Sequence, residues 1–145
     1  MDMQKLNLCD IEEGHKHSFE VQITEKDVDE FARISGDYSP LHLNASFAKE
    51  RGFEGRIVHG AFLTSFFSRL VGMYLPGKNA LLQSIRANFI NPVALGSGPL
   101  KVAGIVTQIS HSTLTIVIQG IISPVDSNET YVKAKMQVGF TNAEN

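Results

Sequence analysis

The feature that most constrains the fold is a stretch in which apolar side chains surround nearly the whole of a helix. It follows His59-Gly60 and runs to about Tyr74, where Pro76-Gly77 stops it. A helix that is apolar on nearly all sides is enclosed by other structure. The most apolar run, Ala61–Leu75, is interrupted by Arg69 and is too short to span a bilayer. The sequence therefore predicts a buried central helix and no membrane partner.

The second half of the chain has the period-two alternation of strands. In Val132–Phe140 every second residue is apolar, and Leu81–Ile90, Leu100–Val106 and Leu114–Ile122 follow the same pattern. Such runs give an antiparallel sheet with one covered face and one wetter face. We therefore predict an α+β fold in which a curved antiparallel sheet wraps around the long central helix.

A strand and a helix are also predicted near the N-terminus. His17–Thr24 alternates apolar and polar residues, as a strand does. Thr24 with Asp27 three residues later resembles a capping box, so a helix should begin there. It should end near Ser35, because Gly36 readily takes the left-handed conformation that terminates helices.

Length and charge narrow the class of protein. The 145 residues allow one domain, 1–145, with loose ends expected at 1–14 and 141–145. Thirteen Lys and Arg against fifteen Asp and Glu leave a charge of −2, which argues against a nucleic-acid partner. A single cysteine, Cys9, suits a reducing compartment, and the N-terminus lacks the apolar core of a secretory signal. We expect a cytoplasmic protein.

The candidate chemistry lies in the segment Gly36-Asp37-Tyr38-Ser39-Pro40-Leu41-His42. Asp37 falls just beyond the first helix, and Pro40 stiffens the loop, so Asp37 and His42 should keep a repeatable separation. A carboxylate and an imidazole that face the same small volume position one water molecule and remove its proton. The alternative is structural: Asp37 makes only an Asx turn with its own backbone, and His42 is an ordinary histidine.

A second candidate feature is His59-Gly60, which opens the central helix. The first backbone N–H groups of a helix are unpaired and lie at the positive end of its dipole. Such a point accepts a carbonyl oxygen and stabilises negative charge that develops on it. The alternative is that Gly60 merely belongs to the helix cap.

The motifs that carry a resemblance are Gly36 to Asn44, Phe47-Ala48, Ile57-Val58-His59-Gly60, Leu75-Pro76-Gly77 and the segment from Phe89 to Gly96 with its Pro92-Val93. Together they resemble the MaoC-like, (R)-specific enoyl-CoA hydratases. The resemblance covers most of the chain from about Phe31 to Gly96, and its most specific parts are Asp-x-x-Pro-x-His and Val-His-Gly.

The resemblance implies a hot-dog fold, a homodimer whose sheets join edge to edge, and an acyl thioester bound near the dimer interface. The implied activity is reversible hydration of trans-2-enoyl thioesters on CoA or acyl carrier protein, without a cofactor or a metal. Asp37 and His42 would hold and activate the water, and the Gly60 N–H would bind the thioester carbonyl. Ser65 would orient His42 or the water, with Ser39 and His59 in support.

Two departures and several alternatives accompany this resemblance. The family commonly has Asn where this chain has Ser39, and Gly-Asp where it has Gly96-Ser97.

An acyl-thioester hydrolase and a non-catalytic acyl-thioester-binding module are the rival functions. Phe62 and Phe66 line an acyl pocket or are plain core. The candidates for binding the CoA phosphates are Arg56, Lys78, Arg86 and Lys101. Near the N-terminus, Glu12, Glu13, His15 and His17 lie close together in the sequence. No further group of metal ligands is visible to complete a site with them, so we expect a solvated surface there.

Overall fold

The computed structural model describes residues 2–141 and shows a curved antiparallel sheet around one helix. Within these residues the sheet has five strands in the order β1-β3-β4-β5-β2, and each neighbouring pair is antiparallel. The strands are β1 Lys16–Val21, β2 Ala80–Phe89, β3 Leu100–Ser110, β4 Thr115–Pro124 and β5 Val132–Phe140. The predicted α+β arrangement is confirmed, with strand ends that differ from the expected ones by up to four residues.

Alternation along the strands separates the core from the outer surface. The inner face buries side chains from β3, β4 and β5, among them Val102, Val106, Ile118, Met136 and Val138. Intervening residues such as Lys101, Gln119, Lys133 and Lys135 are exposed on the outer face. The hydrophobic effect therefore sets the register of the sheet, because a slip of one residue would turn the buried set outward.

The helices are α1 Glu25–Ser35, α2 Pro40–Leu43, α3 Ala45–Glu50 and α4 Gly60–Arg69. The limits of α1 agree with the prediction: Thr24 Oγ1 accepts a hydrogen bond from the Asp27 N–H, Asp27 Oδ2 accepts one from the Thr24 N–H, and Gly36 has φ 79°. The short helix α2 lies where the sequence predicted only a stiff loop, and α3 was not predicted. No helix in residues 2–141 is both long and apolar enough to cross a bilayer.

The central helix is α4, which Leu70–Tyr74 continues as a wider π-helical turn. In that turn the Leu75 N–H donates to the Leu70 carbonyl over 2.9 Å. Phe67 and Leu70 are fully buried against the inner face of the sheet. The enclosure is less complete than the sequence predicted, because the small residues Ala61, Ser65 and Ser68 are exposed along one side.

The N-terminal segment is packed, although residues 1–14 were expected to be loose. Leu8 and Ile11 are buried in the hydrophobic core. The Gln4 N–H donates to the Met73 carbonyl over 2.8 Å, and the Lys78 N–H donates to the Gln4 carbonyl over 2.8 Å. These contacts hold the segment against the end of the central helix. At the other terminus, residues 142–145 lie outside the described part of the chain.

Glycines in β3 and β4 let the central helix approach the sheet closely. A Cβ atom on Gly104 would lie 2.5 Å from Leu70 Cδ2, and one on Gly120 would lie 2.5 Å from Phe67 Cε1. Both distances are far inside van der Waals contact, so a larger residue at either position must displace the helix or its side chains.

We predict that Gly120→Ala lowers the free energy of unfolding by about 1–3 kcal/mol, the usual cost of overpacking a core. Urea denaturation measures it. Gly139→Ala in β5 is the matched control, because a Cβ there meets chiefly the end of the flexible Gln83 side chain. Equal stability of the two variants would show that the Gly120 contact does not limit the packing of the helix.

Candidate active site

Asp37 and His42 are held close together by the chain that links α1 to α2. Gly36 ends α1 in the left-handed conformation and turns the chain toward Asp37. Pro40 occupies the first position of α2, where its fixed φ favours helix formation and its missing N–H is not needed. His42 follows two residues later in the same turn of helix. The segment is therefore the end of one helix joined to the start of the next, where a stiff loop was expected.

The Asp37 carboxylate has one oxygen committed to the backbone and one directed at His42. The Ser39 N–H donates to Asp37 Oδ1 over 3.1 Å, which is an Asx turn, and the Asp37 N–H donates to Ser35 Oγ over 3.2 Å. Asp37 Oδ2 lies 3.7 Å from His42 Nε2. The structural alternative is thus realised by one oxygen, while the other remains available for chemistry.

His42 is fixed through its other ring nitrogen. Its Nδ1 lies 2.7 Å from the carbonyl oxygen of Ile57. A carbonyl only accepts hydrogen bonds, so in the neutral ring the proton is assigned to Nδ1 and Nε2 keeps its lone pair. His42 Nε2 and Asp37 Oδ2 are then two acceptors that face each other. A molecule with two O–H donors, such as water, can bridge them.

Arg56 links the backbone of His42 to α1. Its Nε–H donates to the His42 carbonyl over 2.6 Å, and its Nη2 donates to Asp29 Oδ1 over 2.5 Å. Only 11% of the side chain is exposed, and Glu25 lies 3.9 Å from its other terminal nitrogen. The guanidinium therefore joins α1 to α2, which argues against Arg56 among the four candidates for binding the CoA phosphates. The sequence analysis missed this role, and the signal that could have indicated it is the pair of acids four residues apart on α1, Glu25 and Asp29.

The start of α4 lies beside Asp37 and His42, because His59 contacts both residues and Gly60 follows it directly. His59 is 2% exposed, its Nε2 lies 3.0 Å from the Asp37 carbonyl, and its ring stacks on His42 with centroids 3.9 Å apart. Gly60 follows directly as the first residue of α4, so its N–H has no acceptor within the helix. A Cβ on Gly60 would lie 3.0 Å from the ring of Phe89, which covers this position from β2.

The remaining residues expected at the site are less involved in it. The Ser65 hydroxyl donates to the Phe62 carbonyl of its own helix over 2.6 Å. The role expected of Ser65, to orient His42 or the water, stays a prediction, and in this structure Ile57 and Arg56 hold His42. Phe62 packs edge-on against Phe31 and Phe66, with centroids 5.0 and 5.4 Å away.

Asp37, His42 and His59 also place three possible metal-binding atoms within 4.8 Å of one another. Their directions do not suit a shared ion. The rings of His42 and His59 are stacked with only 24° between their planes, so their in-plane lone pairs do not converge. Since His59 Nε2 also bonds the Asp37 carbonyl, the cluster offers two free ligands, fewer than a protein zinc site uses.

A further histidine, His17, lies apart from this site on the edge strand β1. Its ring stacks on Tyr74 with centroids 4.2 Å apart. Burial, and to a smaller extent the neighbouring His15, lowers the pKa of His17 from its ordinary value. The imidazole therefore packs as a neutral ring near neutral pH, which is a structural role.

Fold and site together define a hot-dog domain with an aspartate–histidine pair beside the start of its central helix. The chain belongs to the MaoC-like family, since the family model described as "MaoC like domain" matches residues 7–117.

The names of two similar proteins describe the addition of water to an acyl-CoA or its removal. The chain is 40% identical over 86 residues to an "(R)-specific enoyl-CoA hydratase" of Aeromonas caviae. It is 36% identical over 95 residues to a "3-hydroxybutyryl-CoA dehydratase" of Methylorubrum extorquens. These matches cover 59% and 66% of this chain and 64% and 60% of the two relatives, so it spans less than two thirds of their lengths.

A solved structure extends the similarity to the whole fold. It is titled "(R)-hydratase from A. caviae involved in PHA biosynthesis" and superimposes with a TM-score of 0.85 at 30% identity. The alignment covers 90% of this chain and 97% of that one. The hot-dog fold implied by the resemblance is confirmed.

We predict that Arg56→Lys lowers the free energy of unfolding by about 1–2 kcal/mol, because an ammonium group cannot keep the fork that joins Asp29 to the His42 carbonyl. Urea denaturation measures the change. Arg33→Lys, at an exposed position in the last turn of α1, is the control and should change stability by less than about 0.5 kcal/mol. Indistinguishable unfolding curves for the two variants would contradict this role of Arg56.

Proposed function

We propose that this protein is an (R)-specific enoyl-CoA hydratase, or 3-hydroxyacyl thioester dehydratase, that adds water reversibly to trans-2-enoyl thioesters. The observation that carries the proposal is the 3.7 Å gap between two hydrogen-bond acceptors, Asp37 Oδ2 and His42 Nε2, beside the start of α4. The names of the relatives and of the similar structure support the same reaction class.

The proposed hydration begins with a water molecule that donates one hydrogen bond to Asp37 and one to His42. Asp37, assisted by His42, accepts a proton as the water oxygen attacks the β-carbon of the enoyl group. Electrons move from the carbon–carbon double bond to the thioester oxygen, where the Gly60 N–H stabilises the resulting enolate. The proton is then delivered to the α-carbon. Water has been added across the double bond, and dehydration follows the same steps in reverse.

The rival functions are separated by one assay. Loss of the ultraviolet absorbance of but-2-enoyl-CoA without release of free thiol indicates hydration. Release of free thiol indicates an acyl-thioester hydrolase. Tight binding with neither change indicates a non-catalytic acyl-thioester-binding module, a possibility that Ser39 in place of the common Asn keeps open.

The proposal also covers the carrier of the acyl group and the cellular compartment. Acyl-CoA and acyl carrier protein thioesters are both compatible with a site that acts on the enoyl end, and Phe62 and Phe66 are proposed to contact the acyl chain. A panel of enoyl thioesters that varies carrier and chain length distinguishes them.

We propose a single domain in the cytoplasm, consistent with the one exposed cysteine, Cys9.

We predict that Asp37→Asn reduces kcat/KM for but-2-enoyl-CoA by at least about a hundredfold, the low end for general acid–base catalysis, because an amide cannot take the proton. Steady-state kinetics on the folded variant measures it. Asp126→Asn, in an exposed turn, is the control and should leave kcat/KM unchanged. Near-normal turnover by Asp37→Asn would remove this residue from the mechanism.

We further propose that the protein forms a homodimer through the free edge of β2. Within residues 2–141 this strand pairs only with β5, and its apolar Ile85 and Phe89 are 40% and 54% exposed. Exposed apolar side chains along a free strand edge invite pairing with another strand. Because Phe89 also covers Gly60, a second chain at this edge lies beside the proposed site.

We predict that Ile85→Glu converts the dimer to a monomer, since the interface would then bury an unpaired carboxylate. Light scattering coupled to size exclusion measures the mass. Ile34→Glu, at a highly exposed apolar position on α1, is the matched control and should stay dimeric. A monomeric wild-type protein, or a dimeric Ile85→Glu variant, would contradict the proposed interface.

A further inference from the structure

His59 is buried at the site, yet the proposed proton transfers do not use it. Its side chain is 2% exposed and lies between two aromatic neighbours, His42 and Phe31. A polar ring is costly to bury unless its contacts compensate. The identity of those contacts therefore indicates what the ring contributes.

The hydrogen bond of His59 assigns its tautomer. Nε2 lies 3.0 Å from the Asp37 carbonyl oxygen, which can only accept, so Nε2 carries the proton. Nδ1 is buried without a hydrogen-bond partner in the described chain, as the unprotonated nitrogen of a neutral ring. His59 thus differs from His42, whose proton is assigned to Nδ1 by the Ile57 carbonyl.

The face of the His59 ring makes a second, independent contact. It stacks on His42 with centroids 3.9 Å apart and 24° between the planes, and Phe31 lies against it at 4.9 Å and 58°. One side chain therefore touches the main chain of Asp37 and the ring of His42. These are the two residues whose 3.7 Å separation defines the proposed water site.

We propose that His59 is a positioning residue that sets the spacing of Asp37 and His42, through its N–H for the first and its ring face for the second. This inference rests on the proposed hydratase function. His59 is also the N-cap residue of α4, directly before Gly60. It therefore fixes the position of the water-binding pair relative to the Gly60 N–H, which is proposed to bind the thioester carbonyl. Misplacement of reacting groups by about 1 Å can cost about a hundredfold in rate.

Two substitutions separate the two contacts. His59→Phe keeps a ring that can stack on His42 but has no donor for the Asp37 carbonyl. His59→Gln keeps an amide N–H at similar reach but has no ring. We expect each to lower kcat for but-2-enoyl-CoA by about tenfold to a hundredfold with KM nearly unchanged, because positioning acts on the reaction more than on binding. His111→Gln, at an exposed position in the turn after β3, is the control and should match the wild type.

The kinetic readout is normalised to folded protein by near-ultraviolet circular dichroism and thermal melting. If either variant keeps the wild-type kcat per folded molecule, the proposal that both contacts set the spacing is overturned. A rise in KM with kcat unchanged also overturns it, since that result assigns His59 to substrate binding.

A nuclear magnetic resonance measurement tests the same inference without activity. Long-range proton–nitrogen correlation spectra distinguish the two tautomers of each ring. We expect the Nε2–H form for His59 and the Nδ1–H form for His42 in the wild type, and we expect the Ile57 carbonyl to keep His42 in that form in both variants. A wild-type Nδ1–H form of His59 overturns the proposal. If the wild type has these tautomers but no hydratase activity, the proposed function fails while the His59 contacts stand.

Discussion

The close approach of the central helix to the inner face of the sheet is the constraint on which the rest of the structure depends. Gly104 and Gly120 leave room for Leu70 and Phe67, so the helix lies directly on the strands. Because the helix axis is fixed there, the position of its first residue, Gly60, is fixed as well. The site is assembled around that helix end: the chain before α4 brings His59 and Ile57, and the α1–α2 connection comes to meet them.

Hydrogen bonds with backbone groups determine the chemistry that the site can perform. The Ile57 carbonyl fixes the proton of His42 on Nδ1, and only for that reason is Nε2 an acceptor that faces Asp37. The Asx turn at Ser39 uses one oxygen of Asp37 and leaves the other free. A single peptide carbonyl and a single backbone N–H thus convert two common polar residues into a pair that can share one water.

Local signals predicted the long elements well and the short ones poorly. Thr24, Asp27 and Gly36 marked the limits of α1, because caps are chemical signals at defined positions. The alternation of Val132–Phe140 predicted β5 because one face had to be buried. The helices α2 and α3 have four and six residues, too few for a helical period to be recognised. The docking of the N-terminal segment depends on long-range contacts with the end of the central helix, which no local pattern encodes.

The two central residues of the candidate site were predictable from the sequence, but the contacts that hold them together were not. The motif contained Asp37 and His42, whereas the support from Arg56 depends on an acid of α1 twenty-seven positions away along the chain. That commitment has a consequence for substrate binding. Arg86 and Lys101 lie on the outer face of the sheet, opposite the helix, so neither faces the start of α4 from within the same chain. Lys78 follows the opposite end of the central helix, beyond Tyr74. Of the four cations named from the sequence, only Arg56 therefore lies near the start of α4, and its guanidinium is already paired with Asp29 and Glu25.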